Sequence, residues 1–155
     1  MRPGKVHSLR IYTDGGSRGN PGNAAIAFII EDAEGNILEK HSRYIGVTTN
    51  NVAEYTALIK ALEKATDYNA IEVSCFSDSE FMVDQLTGKD KVKKKHIREL
   101  YKRIKDIEKQ FKKVTYSHLK REDGRIKRVD RLVNEELNKR KGKSLNLHAN
   151  RHPVS

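Results

Sequence analysis

The sequence predicts an α/β protein built on a five-stranded mixed sheet, with three antiparallel N-terminal strands, two further parallel strands, and helices flanking the sheet. Three observations predict it. Apolar, β-prone runs of strand length recur early in the chain with short connections between them, the pattern of a meander. Further on, strand-like runs alternate with helical periods, in the order β-β-β-α-β-α-α-β-α. At 155 residues the chain is of one-domain length and can bury a real core.

Ser8 to Asp14 reads as the first strand, and the glycine-rich stretch Gly15 to Gly22 reads as a loop after it. Ala24 to Ile30 is an apolar run of strand length, Glu34-Gly35-Asn36 a turn, and Ile37 to Ile45 the returning strand. Thr48-Thr49-Asn50-Asn51 supplies helix N-cap candidates, and Val52 to Ala65 carries a helical pattern rich in Ala, Leu and Lys. Ile71 to Phe76 is the next strand, and Phe81 to Leu86 a short helix closed near Gly88. A basic linker, Lys89 to Lys95, leads to a helix over His96 to Lys112, then a strand over Val114 to Leu119. A charged loop precedes a final helix, Val129 to Arg140. The domain is expected to span residues 1–141, with 142–155 a polar, loosely held tail. The first strand should pair in parallel with Ile71–Phe76, and the ends of such strands are where open α/β sheets place their sites.

Charge is concentrated. The chain has a formal net charge of +10, and Thr87 to Arg128 holds 17 of its 31 Lys/Arg but 6 of its 21 Asp/Glu. A heat-adapted, heavily charged helical face is one reading. A surface that neutralises phosphates is favoured, because the excess is local and unbalanced. The apolar runs are too short to span a bilayer, and Met1-Arg2-Pro3-Gly4-Lys5 does not lead into a signal-peptide core. A lone Cys75 allows no internal disulfide and fits a reducing cytoplasm.

Four acids are placed where they can meet. Asp14 and Asp78 end strands that are expected to be parallel neighbours, so both emerge at one edge. Asp78 as a helix N-cap is the competing reading. Glu54 shares the core-facing stripe of its helix with Leu58, Ala61 and Ala65, an expensive place for an acid unless it binds a cation. Asp130, with Val133 and Leu137 on its stripe, has an alternative explanation in the helix dipole. Four carboxylates without a Cys/His cluster point to Mg²⁺ or Mn²⁺ and away from zinc. Two such ions about 3.5–4 Å apart are the usual arrangement for in-line attack on a phosphodiester. The glycine loop does not fit the spacing of a dinucleotide-binding fingerprint.

These residues resemble type 1 ribonuclease H, with features of its archaeal-type members. The resemblance rests on Tyr12-Thr13-Asp14-Gly15-Gly16 with Gly19-Asn20-Pro21-Gly22, on Thr48-Thr49-Asn50-Asn51-Val52-Ala53-Glu54, on Ser77-Asp78-Ser79, and on Arg128-Val129-Asp130-Arg131-Leu132-Val133. Gln85-Leu86-Thr87-Gly88 and the helices after it add the archaeal-type features. It covers roughly Leu9 to Leu137. It implies a ribonuclease H-like fold and an endonuclease that cuts the RNA strand of RNA–DNA hybrids with two Mg²⁺ or Mn²⁺ ions, leaving 5′-phosphate and 3′-hydroxyl ends. Asp14, Glu54, Asp78 and Asp130 are then the catalytic, metal-binding acids. Gly15, Asn20, Asn50 and Asn51 match positions touching the hybrid backbone and its 2′-hydroxyls, the group that distinguishes RNA from DNA. Lys93, Lys94 and Lys95 stand in for the family's basic protrusion.

The chain departs from the family pattern in three places. The family's loop His before the last helix has no counterpart at the same spacing, leaving His118 or Arg121 as auxiliary candidates. Glu80 stands where Gln is common, and the loop Lys120 to Arg128 lacks the Asn expected before Asp130. A non-catalytic binder of RNA–DNA hybrid or double-stranded RNA is the alternative function, and double-stranded RNA is a second candidate substrate. The expected state is a monomer.

Overall fold

The structure, a computed structural model, describes residues 7–151, with side chains described for residues 7–140. The N-terminal Met1 to Lys5 and the last four residues of the expected tail lie outside the described residues. One sheet of order β3-β2-β1-β4-β5 forms from β1 (Ser8–Gly19), β2 (Gly22–Asp32), β3 (Ile37–Thr48), β4 (Glu72–Ser77) and β5 (Lys113–His118). β1–β2 and β2–β3 are antiparallel, β1–β4 and β4–β5 parallel. The five-stranded mixed sheet expected from the sequence is the one observed. Among the described residues four α-helices flank it: α1 (Asn50–Ala65), α2 (Glu80–Leu86), α3 (Lys95–Glu108) and α4 (Gly124–Arg151).

Both faces of the sheet centre are covered, which is why β2 reads as a continuous apolar run. Phe28 and Ile30 join the larger core under α1 and α3, with Leu9, Ile11, Leu58, Leu62 and Ile104. Ala25, Ala27 and Ile29 turn the other way and meet Tyr12, Val129, Val133 and Leu137 under α4. The period-2 alternation of side chains distributes one strand between two cores.

β1 is longer than expected. Its glycine-rich half is not a loop but strand, paired with β2 as far as Gly19 opposite Gly22, so Asp14 lies mid-strand opposite Ala27. The reason is a two-residue hairpin connection at Asn20-Pro21. Gly22 permits it, since a Cβ there would stand 2.1 Å from the Arg18 carbonyl oxygen. The parallel pairing with β4 stops earlier, at Tyr12 opposite Phe76. β1 thus leaves β4 just before Asp14, and the sheet forks there.

Two helices also differ from expectation. α3 stops at Glu108 because Phe111 turns into the core and the Lys112 N–H donates to the Ile71 carbonyl, leading into β5. α4 begins at Gly124 and continues through Arg151, across the expected boundary at residue 141. Residues 141–151 contain no proline to stop the helix, and the first one follows at Pro153.

Candidate active site

Asp14 lies at the fork of the sheet with its side chain on the α4 side, and it is buried. Asp78 follows the last residue of β4, so the parallel register brings it to the same edge. It does not cap α2. Ser79 takes that role, its hydroxyl accepting from the Met82 N–H at 3.3 Å, which leaves the Asp78 carboxylate facing the site.

Glu54 arrives from α1, in the helix's second turn and on its buried face. α1 is started by Thr49, whose hydroxyl accepts from the Val52 N–H. Its approach to the sheet is set by Gly15, since a Cβ on Gly15 would lie 2.3 Å from the Ala53 carbonyl carbon and oxygen. At that distance the Gly15 N–H donates to Glu54 Oε1 at 3.0 Å. Gly15 is therefore buried against α1 and positions Glu54. It also lines the notch, the side on which the resemblance placed substrate.

One ligand oxygen from each of Asp14, Glu54 and Asp78 lies within 4.8 Å of the others. Asp130 is outside this triad but lines the same notch, close enough for its charge to act on Asp14. It lies in the second turn of α4, past the first turn where a dipole explanation would apply. Asn134, one turn on, donates from its amide to Asp130 Oδ2 at 3.3 Å. The notch itself holds about 140 Å³.

Burial pushes the Asp14 carboxyl up to about 8, with the charges of Asp78 and Asp130 acting in the same direction. Burial also raises Glu54 well above the usual carboxylate range, with Asp14 and Asp78 next, while the Gly15 N–H and the Arg121 charge oppose the shift. Like-charged buried carboxylates without a compensating cation are driven to hold protons. The donor set is oxygen throughout, and it fits a hard divalent cation held by Asp14, Glu54 and Asp78 with Asp130 beside them.

The remaining expected residues divide into three groups. Asn20 and Asn50 face each other: Asn20 Oδ1 accepts from the Asn50 N–H at 3.0 Å, and Asn50 Oδ1 accepts from the Ser17 N–H at 3.3 Å. They hold the hairpin tip to the start of α1, and Asn50 lines the notch. Asn51 is half-buried in the first turn of α1. Arg121 lines the notch, its Nε 3.6 Å from Asp78 Oδ2. His118 ends β5 opposite Ser77, is exposed, and does not line the notch. Lys93 and Lys94 line a different groove of about 340 Å³, with Phe81, Gln85 and Ile97, and the exposed Lys95 begins α3 beside it. Glu80 is exposed in the first turn of α2, clear of the notch lining. Ser17, Arg18 and Asn134 line the notch and went unread in the sequence. The spacing of Asn134 four residues after Asp130 on a helix was the signal available for one of them.

A forked mixed sheet with three acids converging at the fork defines a ribonuclease H-like protein with a carboxylate site. Residues 12–135 match the family model described as "Reverse transcriptase-like". The chain is 37% identical over 136 residues to a ribonuclease HI of Halobacterium salinarum, covering 88% of this chain and 66% of that protein. It is 37% identical over 128 residues to a bifunctional protein of Mycobacterium tuberculosis, covering 82% of this chain and 35% of that protein. The chain thus spans about a third of the length of its mycobacterial relatives. Among solved structures, LC11-RNase H1 in complex with RNA/DNA hybrid superposes with a TM-score of 0.79 at 43% identity, covering 84% of this chain and 97% of that one. RNase H1 from Halobacterium salinarum gives 0.80 at 34% identity, covering 85% and 98%. The chain belongs to the type 1 ribonuclease H family, within the reverse transcriptase-like group.

Proposed function

We propose that this chain is a Mg²⁺- or Mn²⁺-dependent endonuclease that hydrolyses the RNA strand of RNA–DNA hybrids, leaving 5′-phosphate and 3′-hydroxyl ends. The observation that carries the reading is the convergence of Asp14, Glu54 and Asp78, with oxygens within 4.8 Å of one another at the fork of the sheet. That a related structure holds an RNA/DNA hybrid supports the substrate class.

The four acids would hold the divalent ions, and bound ions of this kind supply charge neutralisation at a phosphate and a more acidic water. The chain's own residues do the rest. Gly15 fixes the Glu54 carboxylate by its N–H, and Ser79 frees Asp78 by capping α2 in its place. Asn20 and Asn50 hold the hairpin tip against α1, at the rim where the hybrid backbone would lie. Arg121, largely exposed beside Asp78, places a cation where phosphate oxygens would arrive. The local excess of Lys and Arg between Thr87 and Arg128 supplies a grip on the polymer that weakens with salt. Recognition of this kind reads shape and the 2′-hydroxyl, with little sequence preference. The same reading has the chain act as a monomer in the cytoplasm, in keeping with a free and buried Cys75.

A labelled RNA–DNA hybrid incubated with Mg²⁺ or Mn²⁺ tests the reading. The expected result is cut RNA, intact DNA, and 5′-phosphate ends on the products. Tight, salt-sensitive binding without a cut under either metal would assign the chain to the binding class instead. Running double-stranded RNA in parallel decides whether it is also a substrate.

A further inference from the structure

We propose that Arg18 and Asn134 form a positioning pair that fixes where the Asp130 carboxylate sits, an inference that rests on the metal-dependent reading of the site. Asp130 needs such help more than the other acids. It is half-buried, it stands outside the close triad, and its helix α4 packs over the smaller of the two cores. Glu54, by contrast, has a backbone donor of its own in Gly15.

Asn134 donates from Nδ2 to Asp130 Oδ2 at 3.3 Å and to the Asp130 carbonyl at 3.1 Å. Its Oδ1 accepts from Arg18 Nη2 at 3.4 Å. An Asn side chain has one accepting and one donating end, and a half-turn about its last bond exchanges them. Arginine has donors only, so Arg18 can engage only the oxygen. With the oxygen held there, the amide N–H₂ is turned to the carboxylate, and the repulsive orientation is excluded.

Arg18 sits near the tip of the β1–β2 hairpin, which is tied on its other side to α1 through Asn20 and Asn50. The hairpin therefore links the helix that carries Glu54 to the helix that carries Asp130. Arg18 and Asn134 both line the notch, which places the linkage within reach of the ion-holding acids. Both bonds are long and exposed, so the effect should be moderate.

The test uses the full chain as wild type, Arg18→Ala, Asn134→Leu, Asp130→Asn and the Arg18→Ala/Asp130→Asn double variant. Mn²⁺ binding is measured by titration calorimetry without nucleic acid, and hybrid cleavage by steady-state kinetics. Arg18→Ala and Asn134→Leu should each weaken Mn²⁺ binding by about 10-fold, the lower end for partners of metal ligands, and lower kcat more than they raise KM. In the Asp130→Asn background Arg18→Ala should cost nothing more in Mn²⁺ affinity, as for two residues acting through one group. Unchanged Mn²⁺ affinity with a raised KM would overturn the pair and make Arg18 a substrate contact. A full additional loss of Mn²⁺ affinity in the double variant would overturn it by showing that Arg18 acts through a group other than Asp130. The Mn²⁺ measurement stands apart from cleavage, so wild type that binds Mn²⁺ and cuts no hybrid would refute the nuclease reading while leaving the pair testable.

Discussion

Glu54 and Asp130 reach the same notch from opposite faces of the sheet, on helices held in different ways. α1 lies in the larger core with most of one side buried, down to Ala65, and Glu54 is fixed by a backbone N–H at 3.0 Å. α4 lies over a small core of Tyr12, Ala25, Ala27, Ile29, Val129, Val133 and Leu137, and Asp130 is held by a side-chain amide at 3.3 Å. The α1 side sets geometry through backbone and packing, which have little freedom to shift. The α4 side sets it through side chains, which can be adjusted. Glu54, together with Asp14 and Asp78 carried by the paired strands of the sheet, forms a rigid half of the site, and Asp130 a compliant half.

The strongest test of the rigid half is Asp14→Asn. We expect cleavage to fall by at least about 10³-fold, as for removal of a group central to a catalytic unit, read in single-turnover assays on the hybrid. Retention of even a tenth of the activity would place the chemistry elsewhere. Next in size is Gly15→Ala. The added Cβ meets α1 backbone at 2.3 Å, so we expect a loss of about 3 kcal/mol or more in denaturant unfolding. Gly124→Ala, where nothing lies within 4 Å of the new Cβ, is the control and should stay within about 0.5 kcal/mol of wild type. Similar behaviour of the two alanines would mean that α1 is not seated against β1 as described. For the compliant half, Asp130→Asn should lower kcat by about 10- to 100-fold and weaken metal binding, a smaller loss than at Asp14. Equal losses at the two positions would erase the distinction.

The smallest expected effect is on the metal-free protein. Asp14 holds its proton up to about 8 when folded, against 3.8 when unfolded, and Glu54 shifts the same way. The folded state therefore carries the extra protons between those values, and its stability falls as pH rises through that window. Thermal melts with chelator should show a declining midpoint from pH 5 to pH 8, and Asp14→Asn should flatten the decline and raise the pH 8 midpoint by about 2–4 °C. Saturating Mg²⁺ should flatten it as well, because a bound cation takes over from the protons. A midpoint that rises with pH in chelator would refute the buried-acid description.

The sheet and its first helix were legible in the sequence because β2's unbroken apolar run and the helical stripe of Leu58, Ala61 and Ala65 reflect burial on defined faces. Glu54 was legible because a carboxylate on a core stripe is costly without a cation, and Asp78 because it follows a parallel strand. Asp14, read at a strand end, lies mid-strand and reaches the site because the pairing of β1 with β4 stops before it. Less local features were hidden. Glycine-rich sequence reads as loop, and only the Asn20-Pro21 connection and the pairing with β2 make Gly15 to Gly19 strand. Ser79 and Asp78 are both good caps, and the choice between them depends on where β4 ends. Nothing local connects Arg18 with Asn134, which lie 116 positions apart. The start of α4 at Gly124 was masked by the charges of Lys120 to Arg128, which read as loop until Ile126 and Val129 find the sheet.

The fork in the sheet also bears on how the chain reaches its native state. The β1–β2 hairpin closes across two residues, whereas the β1–β4 pairing must wait for β2, β3 and α1 to be threaded between its partners. Pairings that close long loops slow folding and are expected late. Asp78 would then be delivered to Asp14 at the end, so the mutually repelling acids meet only once the surrounding packing can hold them together. Folding kinetics of Ile29→Val in the hairpin and Val73→Ala in β4 check the order, with the larger φ-value expected for the hairpin and a value near zero for β4. If β4 showed the larger value, the site would form first and the repulsion would have to be overcome by the folding nucleus itself.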